Sequence, residues 1–220
     1  MLAGTAGAPV RVANPGKGAV VVDAAPAGFA LDLRGRPRVV VRRDPDVRVS
    51  VRPGRVALRP GGSASLTVVS TVSPHARAGD HEALVLLSTR PQGARGLGVR
   101  MRLGVVVLVH VPGAVMHRLE LLAVRVRPRR LFVEVRNRGN VVEELGPRSL
   151  HVVLRRRGRV LAERAAAPRE LLPGTRGLAE VARPSRLRGR TVALVEARDG
   201  AGVRVRRSFR VRLPVTGRGG

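Results

Sequence analysis

Residue types that often carry catalysis or metal binding are present in this sequence, but not at the spacings that such chemistry needs. Five histidines occur, and no two of them share a metal-ligand spacing on one predicted element: His75, His81, His110, His117 and His151. We interpret them as exposed loop or strand-face side chains. No serine lies in a Gly-x-Ser-x-Gly turn, and the absence of cysteine excludes a thiol nucleophile and a thiolate metal site.

An acidic pair, Glu143-Glu144, is a further candidate because paired carboxylates can carry out acid–base work. Adjacent residues of a strand point to opposite faces, however, so we do not expect these two to share a site and interpret them as part of a solvated loop. The sequence therefore predicts a non-enzymatic protein without catalytic residues, a metal site or a cofactor.

Arginine is the residue type that could bind a ligand here. The chain has 42 basic and 15 acidic residues, a formal net charge of +27, and Lys17 is its only lysine. The candidate polyanion-binding residues form two clusters: Arg155, Arg156, Arg157 and Arg159, and Arg204, Arg206 and Arg207. The alternative is that these arginines serve solubility and reflect GC-rich coding. Nucleic acid is disfavoured as a partner because three Phe, and neither Tyr nor Trp, are available for stacking on bases.

The elements that would position these side chains are strands. Apolar and polar residues alternate in Val47-Arg48-Val49-Ser50-Val51-Arg52 and again in Val99-Arg100-Met101-Arg102-Leu103. From Val203 to Leu213 one parity is apolar except at Arg207. Turns such as Pro60-Gly61-Gly62 separate these segments. Short strands with turns at this spacing predict an all-β chain of antiparallel, immunoglobulin-like β-sandwiches.

An internal repeat predicts two such sandwiches. Val12-Ala13-Asn14-Pro15-Gly16 matches Val135-Arg136-Asn137-Arg138-Gly139, and Leu58-Arg59-Pro60-Gly61 matches Leu171-Leu172-Pro173-Gly174. A third landmark, Gly79 ahead of a buried strand, matches Gly189. The repeat predicts domains at 1–111 and 114–214, each of a normal domain size. Residues 215–220 are predicted to form a flexible tail.

The segment Val56–Ser63, followed by Leu66-Thr67-Val68 and Pro74–His81, resembles the first domain of the WxL-interacting proteins. His81 stands where that family has an aromatic residue. Val133–Val141 resembles the turn that opens the family's second domain. The resemblance implies a bacterial cell-surface protein whose first domain associates with peptidoglycan and whose second domain presents a protein-binding face.

The resemblance also implies an extracellular or envelope-associated location. Family members have a signal peptide, a C-terminal membrane helix and a basic tail. None is visible here, so we expect that the chain has lost flanking segments, and that only such segments would contact a membrane. Leu213, Pro214, Thr216 and Gly217 fit the Leu-Pro-x-Thr-Gly motif that sortases cleave. That motif works only with a hydrophobic span behind it, so we interpret these residues as the end of a strand.

Three hypotheses for function follow. The leading one is a non-enzymatic, wall-associated adhesion or scaffold protein that binds a cell-wall polymer or another surface protein. The second is a periplasmic-type assembly chaperone that lends an edge strand, supplied from Leu97 to Val111, to an incomplete client and holds it with a basic anchor in the cleft. The third is a basic polyanion-binding protein, which predicts steeply salt-dependent binding to duplex nucleic acid.

Overall fold

A computed structural model describes residues 4–91 and 101–214, and within these ranges every regular element is a β-strand. The chain forms two compact units. Unit 1 comprises Met1–Ala30 and Pro37–Gly113, and unit 2 comprises Leu31–Arg36 and Ala114–Gly220. The strand pairs with a defined register run antiparallel, and the predicted all-β, immunoglobulin-like fold is confirmed.

Unit 1 is a sandwich of a three-stranded and a five-stranded sheet. Its strands are β1 (Thr5–Ala13), β2 (Val20–Leu31), β3 (Pro37–Val40), β4 (Val47–Arg52), β5 (Arg55–Leu58), β6 (Ser63–Val72), β7 (Gly79–Pro91) and β8 (Arg102–Val111). The first sheet has the order β1-β6-β4, and the second has the order β3-β2-β7-β8 with β5 also paired to β2. Alternate aliphatic side chains such as Val49, Leu66 and Val85 fill the space between the sheets.

Unit 2 is built in the same way. Its strands are β9 (Leu119–Val126), β10 (Arg130–Asn137), β11 (Glu143–Leu145), β12 (Leu150–Arg156), β13 (Arg159–Ala165), β14 (Arg169–Leu171), β15 (Arg176–Ala182), β16 (Gly189–Arg198) and β17 (Arg204–Leu213). They form the sheets β15-β10-β9 and β13-β12-β16-β17 and the pair β11-β14. Leu131, Val133 and Val195 are fully buried between the two larger sheets.

The repeated turns adopt the same backbone conformation in both units. Gly61 and Gly174 each have φ +69°, and Gly79 and Gly189 also have positive φ. A side chain strains the backbone in this region, which is why glycine stands at each of these points. The repeat in the sequence is therefore a repeat of turn geometry.

Two sequence interpretations need revision at this level. Residues 31–36 group with unit 2, and the main-chain NH of Leu178 donates to the carbonyl of Leu33 over 2.7 Å. Glu143 does not lie in a solvated loop, since it belongs to β11 and is only 2% exposed, whereas its neighbour Glu144 points outward. Folding places one member of the acidic pair on the core side because successive strand residues alternate in direction.

The C-terminal motif begins in the core. Leu213 is 2% exposed at the end of β17, and the carbonyl of Pro214 accepts a hydrogen bond from Arg183 over 3.2 Å. Thr216, Gly217 and the predicted tail lie outside the described residues. In the part of the chain that is described, no helix has the length and apolarity to cross a membrane.

Candidate functional site: the open edge strand of unit 1

The β7–β8 hairpin places an apolar strand at the edge of a sheet. The two strands pair from Gly79 opposite Val111 to Ser88 opposite Arg102. Within the described residues β8 is the last strand of its sheet and pairs only with β7. An edge strand presents unpaired main-chain groups on its outer side and can accept another strand there.

The two faces of β8 have different surroundings. Val105, Val107 and Val109 point inward and pack against the core of unit 1. Val106 and Leu108 have the opposite parity and remain 49% and 55% exposed. Most monomeric proteins protect an edge strand with charged side chains or proline. This strand exposes aliphatic side chains instead.

The outer face of β7 packs closely against Gly104 of β8. Leu84 lies opposite Val106 and is 3% exposed. A Cβ atom at Gly104 would lie 2.9 Å from Cδ1 of Leu84, so glycine leaves the room that the Leu84 side chain occupies. The exposed apolar side chains on the outer face of the hairpin are therefore Val106 and Leu108, and Leu84 beside them is buried.

A buried carboxyl group lies directly beside this surface. Glu82 is opposite Leu108 in the strand register, and its Oε1 is buried without a hydrogen-bond partner among the described residues. Burial raises the pKa of Glu82 from 4.5 to about 7, and the charges of Asp44 and Asp80 add to this effect. Glu82 consequently keeps its proton over a pH range in which an exposed glutamate is charged.

A second titratable group lies on the inner side of the same strand. His81 is 5% exposed, which contradicts its interpretation as an exposed histidine. Its Nδ1 is 2.8 Å from Oδ2 of Asp44, and its Nε2 is 2.8 Å from the carbonyl of Arg77. Burial disfavours the charged ring, but the hydrogen bonds to Arg77 and Asp44, with the charges of Asp44 and Asp46, outweigh burial and raise the pKa of His81.

His81, Asp44 and Asp46 form the one group of potential metal ligands found among the described residues. Both ring nitrogens of His81 face oxygen acceptors, so the ring has no free lone pair for a metal ion in this arrangement. Arg77 donates from Nε to Asp46 over 2.7 Å, and this hydrogen bond chiefly lowers the pKa of Asp46. The contacts here are ion pairs, in which His81 lies against Asp44 and Arg77 against Asp46.

The structure separates the two predicted arginine clusters. In unit 2, Arg155 and Arg156 end β12, Arg157 is in the following turn with φ +50°, and Arg159 begins β13. Arg204, Arg206 and Arg207 begin β17. Both clusters belong to the sheet β13-β12-β16-β17, but they pair with opposite ends of β16 because Arg155 is opposite Val192 and Arg204 is opposite Arg198.

Several of these arginines are already engaged within unit 2. Arg204 and Arg206 contact the two carboxylate oxygens of Glu196 at 3.0 and 2.6 Å. Arg207 is the exception to the apolar parity of β17, which is the last strand of its sheet. Its Nη1 donates to the carbonyl of Leu121 over 2.7 Å. Its guanidinium carbon also lies 5.3 Å from the centre of the Phe209 ring. These contacts of Arg204, Arg206 and Arg207 all lie within unit 2.

Comparisons with known proteins agree with the fold. No protein-family model matches the chain, and no curated protein matches it. Among solved structures, the class 5 fimbriae chaperone CfaA has a TM-score of 0.53 at 13% identity over 95% of this chain and 92% of that chain. A chain from the chaperone–tip adhesin complex of CFA/I fimbriae biogenesis has a TM-score of 0.52 at 12% identity over 94% and 92%. At this identity the similarity shows a shared fold of two β-sandwich domains.

These comparisons overturn the leading functional hypothesis. The two solved structures named above, which share the fold over more than nine-tenths of both chains, concern fimbrial chaperones, which correspond to the second hypothesis and not to a wall-associated adhesion scaffold. Neither of these two structures is a WxL-interacting protein, and that resemblance stays an untested prediction. The basic anchor in the cleft and the absence of enzymatic activity also stay predictions.

Proposed function

We propose that this protein is an assembly chaperone of the cell envelope, of the periplasmic type, that lends β8 to an incomplete immunoglobulin-like client. The observation that carries the proposal is an edge strand whose inward valines anchor it in the core while Val106 and Leu108 stay exposed on the other parity. The fold shared with fimbrial chaperones supports it, because those proteins have the same two-sandwich architecture.

The mechanism requires no reaction chemistry. An immunoglobulin-like client that lacks one strand leaves main-chain groups and an apolar groove uncovered. Pairing with β8 would satisfy the main-chain groups through strand addition, and alternate side chains would enter the groove. Burial of an aliphatic side chain that is half exposed in the free protein stabilises a complex by about 1 kcal/mol.

Rigidity of the donor strand is part of this mechanism. Val105, Val107 and Val109 pack against the core, and β7 holds the whole of β8 through the ladder from Gly79 to Ser88. The strand is therefore already extended before a client binds. A preordered strand loses less conformational entropy on binding than a disordered peptide.

The test is co-expression with a pilus-type subunit that lacks one strand, encoded in the same genome as this protein. Leu108→Lys places a charge on the outer face of β8 and should lower the yield of soluble, protease-resistant subunit at least tenfold. The matched control is Val203→Lys in unit 2, since Val203 is 58% exposed and Leu108 is 55% exposed. Amide exchange at 102–111 should slow in the complex. Equal yields with both variants, together with unchanged exchange in β8, would disprove the proposal.

A further inference from the structure

The outer face of the sheet β13-β12-β16-β17 in unit 2 has a row of alternating valines and arginines. The strand register places Val160 opposite Arg155, Arg155 opposite Val192, and Val192 opposite Arg210. All four side chains are exposed, with Val160 at 56% and Val192 at 38%. Each of the four strands contributes one residue to this row.

Positive charge accumulates around this row, and the carboxylate of β13 on the same face, Glu163, lies opposite Val153 with its Oε1 3.9 Å from Nδ1 of His151. Arg190 is opposite Arg212 in the next outward-facing pair, so Arg155, Arg190, Arg210 and Arg212 surround Val192. The groove that they line contains six arginines and, among the described residues, no carboxylate: Arg155, Arg156, Arg157, Arg190, Arg210 and Arg212. Of these six, only Arg156 makes hydrogen bonds within the protein through its guanidinium group, among the contacts described.

At the opposite end of the same sheet, one carboxylate neutralises a pair of arginines. Arg204 and Arg206 share Glu196, and the hydrogen bond from Arg206 chiefly lowers the pKa of that carboxyl group. Glu196 lies four residues along β16 from Val192, a distance of roughly 13 Å in an extended strand. This exceeds the Debye length of about 8 Å at physiological salt, so Glu196 does not neutralise the arginines around Val192.

We propose that this face, formed by Val160, Arg155, Val192, Arg210, Arg190 and Arg212, binds the surface of an anionic phospholipid membrane. Guanidinium groups bind phosphate oxygens in a bidentate manner. Arg190 and Arg212 lie on neighbouring strands, about 4.8 Å apart, and Arg155 and Arg210 lie two strands apart, roughly 10 Å. Valines between the arginines provide the apolar contact that favours the boundary between headgroups and acyl chains. The proposal concerns unit 2 and is independent of the client strand in unit 1.

A nucleic acid fits this surface less well. The face offers no aromatic side chain for base stacking, and a phosphodiester chain would leave Val160 and Val192 in water. A membrane surface uses both residue types, the arginines for phosphate and the valines for the interfacial layer. The valines therefore distinguish the two classes of ligand.

The test is sedimentation of the whole protein with vesicles of phosphatidylglycerol and phosphatidylcholine in equal amounts, compared with vesicles of phosphatidylcholine alone. Each arginine near an anionic surface contributes about fivefold to binding. Arg155→Ala with Arg210→Ala should therefore weaken binding to the anionic vesicles about twenty-five-fold. The matched control, Arg204→Ala with Arg206→Ala, removes the same charge from the same sheet and should weaken it less than threefold.

Two further measurements complete the test. Val160→Ser with Val192→Ser should also weaken binding to the anionic vesicles, by about fivefold. Far-ultraviolet circular dichroism should show that all three double variants are folded. Equal losses in both arginine variants, no effect of the valine variant, equal binding to both kinds of vesicle, or tighter binding to duplex DNA than to anionic vesicles would each overturn the proposal.

Discussion

The side-chain amide of Asn137 donates from Nδ2 to the main-chain oxygen of Leu171 over 3.0 Å, and so joins two separate landmarks of the repeat within unit 2. Asn14 makes the equivalent contact to Leu58 in unit 1 over 3.4 Å. Each amide also donates to the carbonyl four residues ahead and accepts from the NH two residues ahead. The repeated asparagine therefore links two turns through buried hydrogen bonds.

Removal of the Asn137 side-chain hydrogen bonds should destabilise unit 2. Asn137→Ala leaves the carbonyls of Leu171 and Val141 and the NH of Gly139 without their partner at a fully buried position, so we expect a loss of about 3 kcal/mol. Urea denaturation followed by circular dichroism measures the loss, and amide exchange in β10 assigns it to unit 2.

Asn14→Ala is the natural comparison, with an expected loss of about 1–2 kcal/mol. Its contacts to Leu58 and Arg59 are 3.4 and 3.2 Å long, and only part of the set is fully buried. A loss in the free energy of unfolding that is equal or larger in Asn14→Ala than in Asn137→Ala would contradict this account of the two asparagines.

Stability should depend on pH through Glu82. Its pKa is about 7 in the folded protein and about 4.5 when unfolded, so the unfolded state binds fewer protons between these values and stability falls as pH rises from 4.5 to 7. Glu82→Gln mimics the protonated group and should stabilise unit 1 by about 1–3 kcal/mol at pH 8, with little effect near pH 4. Urea denaturation at both pH values tests this. Parallel pH profiles for the two proteins would rule out the effect.

Burial lowers the pKa of His81, but the hydrogen bonds to the Arg77 carbonyl and to Asp44 outweigh it, so the pKa should lie above that of an ordinary histidine. The hydrogen bond from Nδ1 to Asp44 favours the charged ring, so Asp44→Asn should lower the pKa of His81. Nuclear magnetic resonance titration of the five histidines measures this directly. His151, which lies in unit 2, serves as the internal control. Because the folded pKa is raised, the stabilisation from His81 is present below pH 6.5 and disappears as the pH rises through the folded value.

Adjacent arginines at the end of β12 should contribute very differently to stability. Arg156 donates to the carbonyls of Arg188 and Arg190 and to the hydroxyl of Thr191, so Arg156→Ala should cost about 1–2 kcal/mol. Arg155 points outward without such contacts, and Arg155→Ala should change stability by less than about 0.5 kcal/mol. Thermal unfolding of the two variants distinguishes them. A loss in Arg155→Ala as large as that in Arg156→Ala would refute the division.

Much of the fold could be predicted from local patterns. Alternation of aliphatic and polar side chains determines which residues of a strand face the core, and it correctly separates Val47 and Val49 from Arg48. Gly61 and Gly174, in the two repeated Pro-Gly turns, occupy positive φ as their position predicts. Residues 160–167 have a helix-compatible composition, yet most of them belong to β13 because a glycine turn and Pro168 bound the segment.

The functional surfaces depend on contacts between distant residues, which local patterns do not specify. The order of the strands makes β8 the last strand of its sheet among the described residues, without a second strand on its outer side. The cross-strand register places Arg210 next to Val192 and Arg206 next to Glu196. Burial of His81 and Glu82 likewise results from packing against segments far away in sequence. The sequence by itself therefore determines strands, turns and the apolar parity, since these follow from neighbouring residues. The tertiary structure decides which edge is open and which charges are neutralised, since both depend on the side chains that pairing brings within a few ångströms.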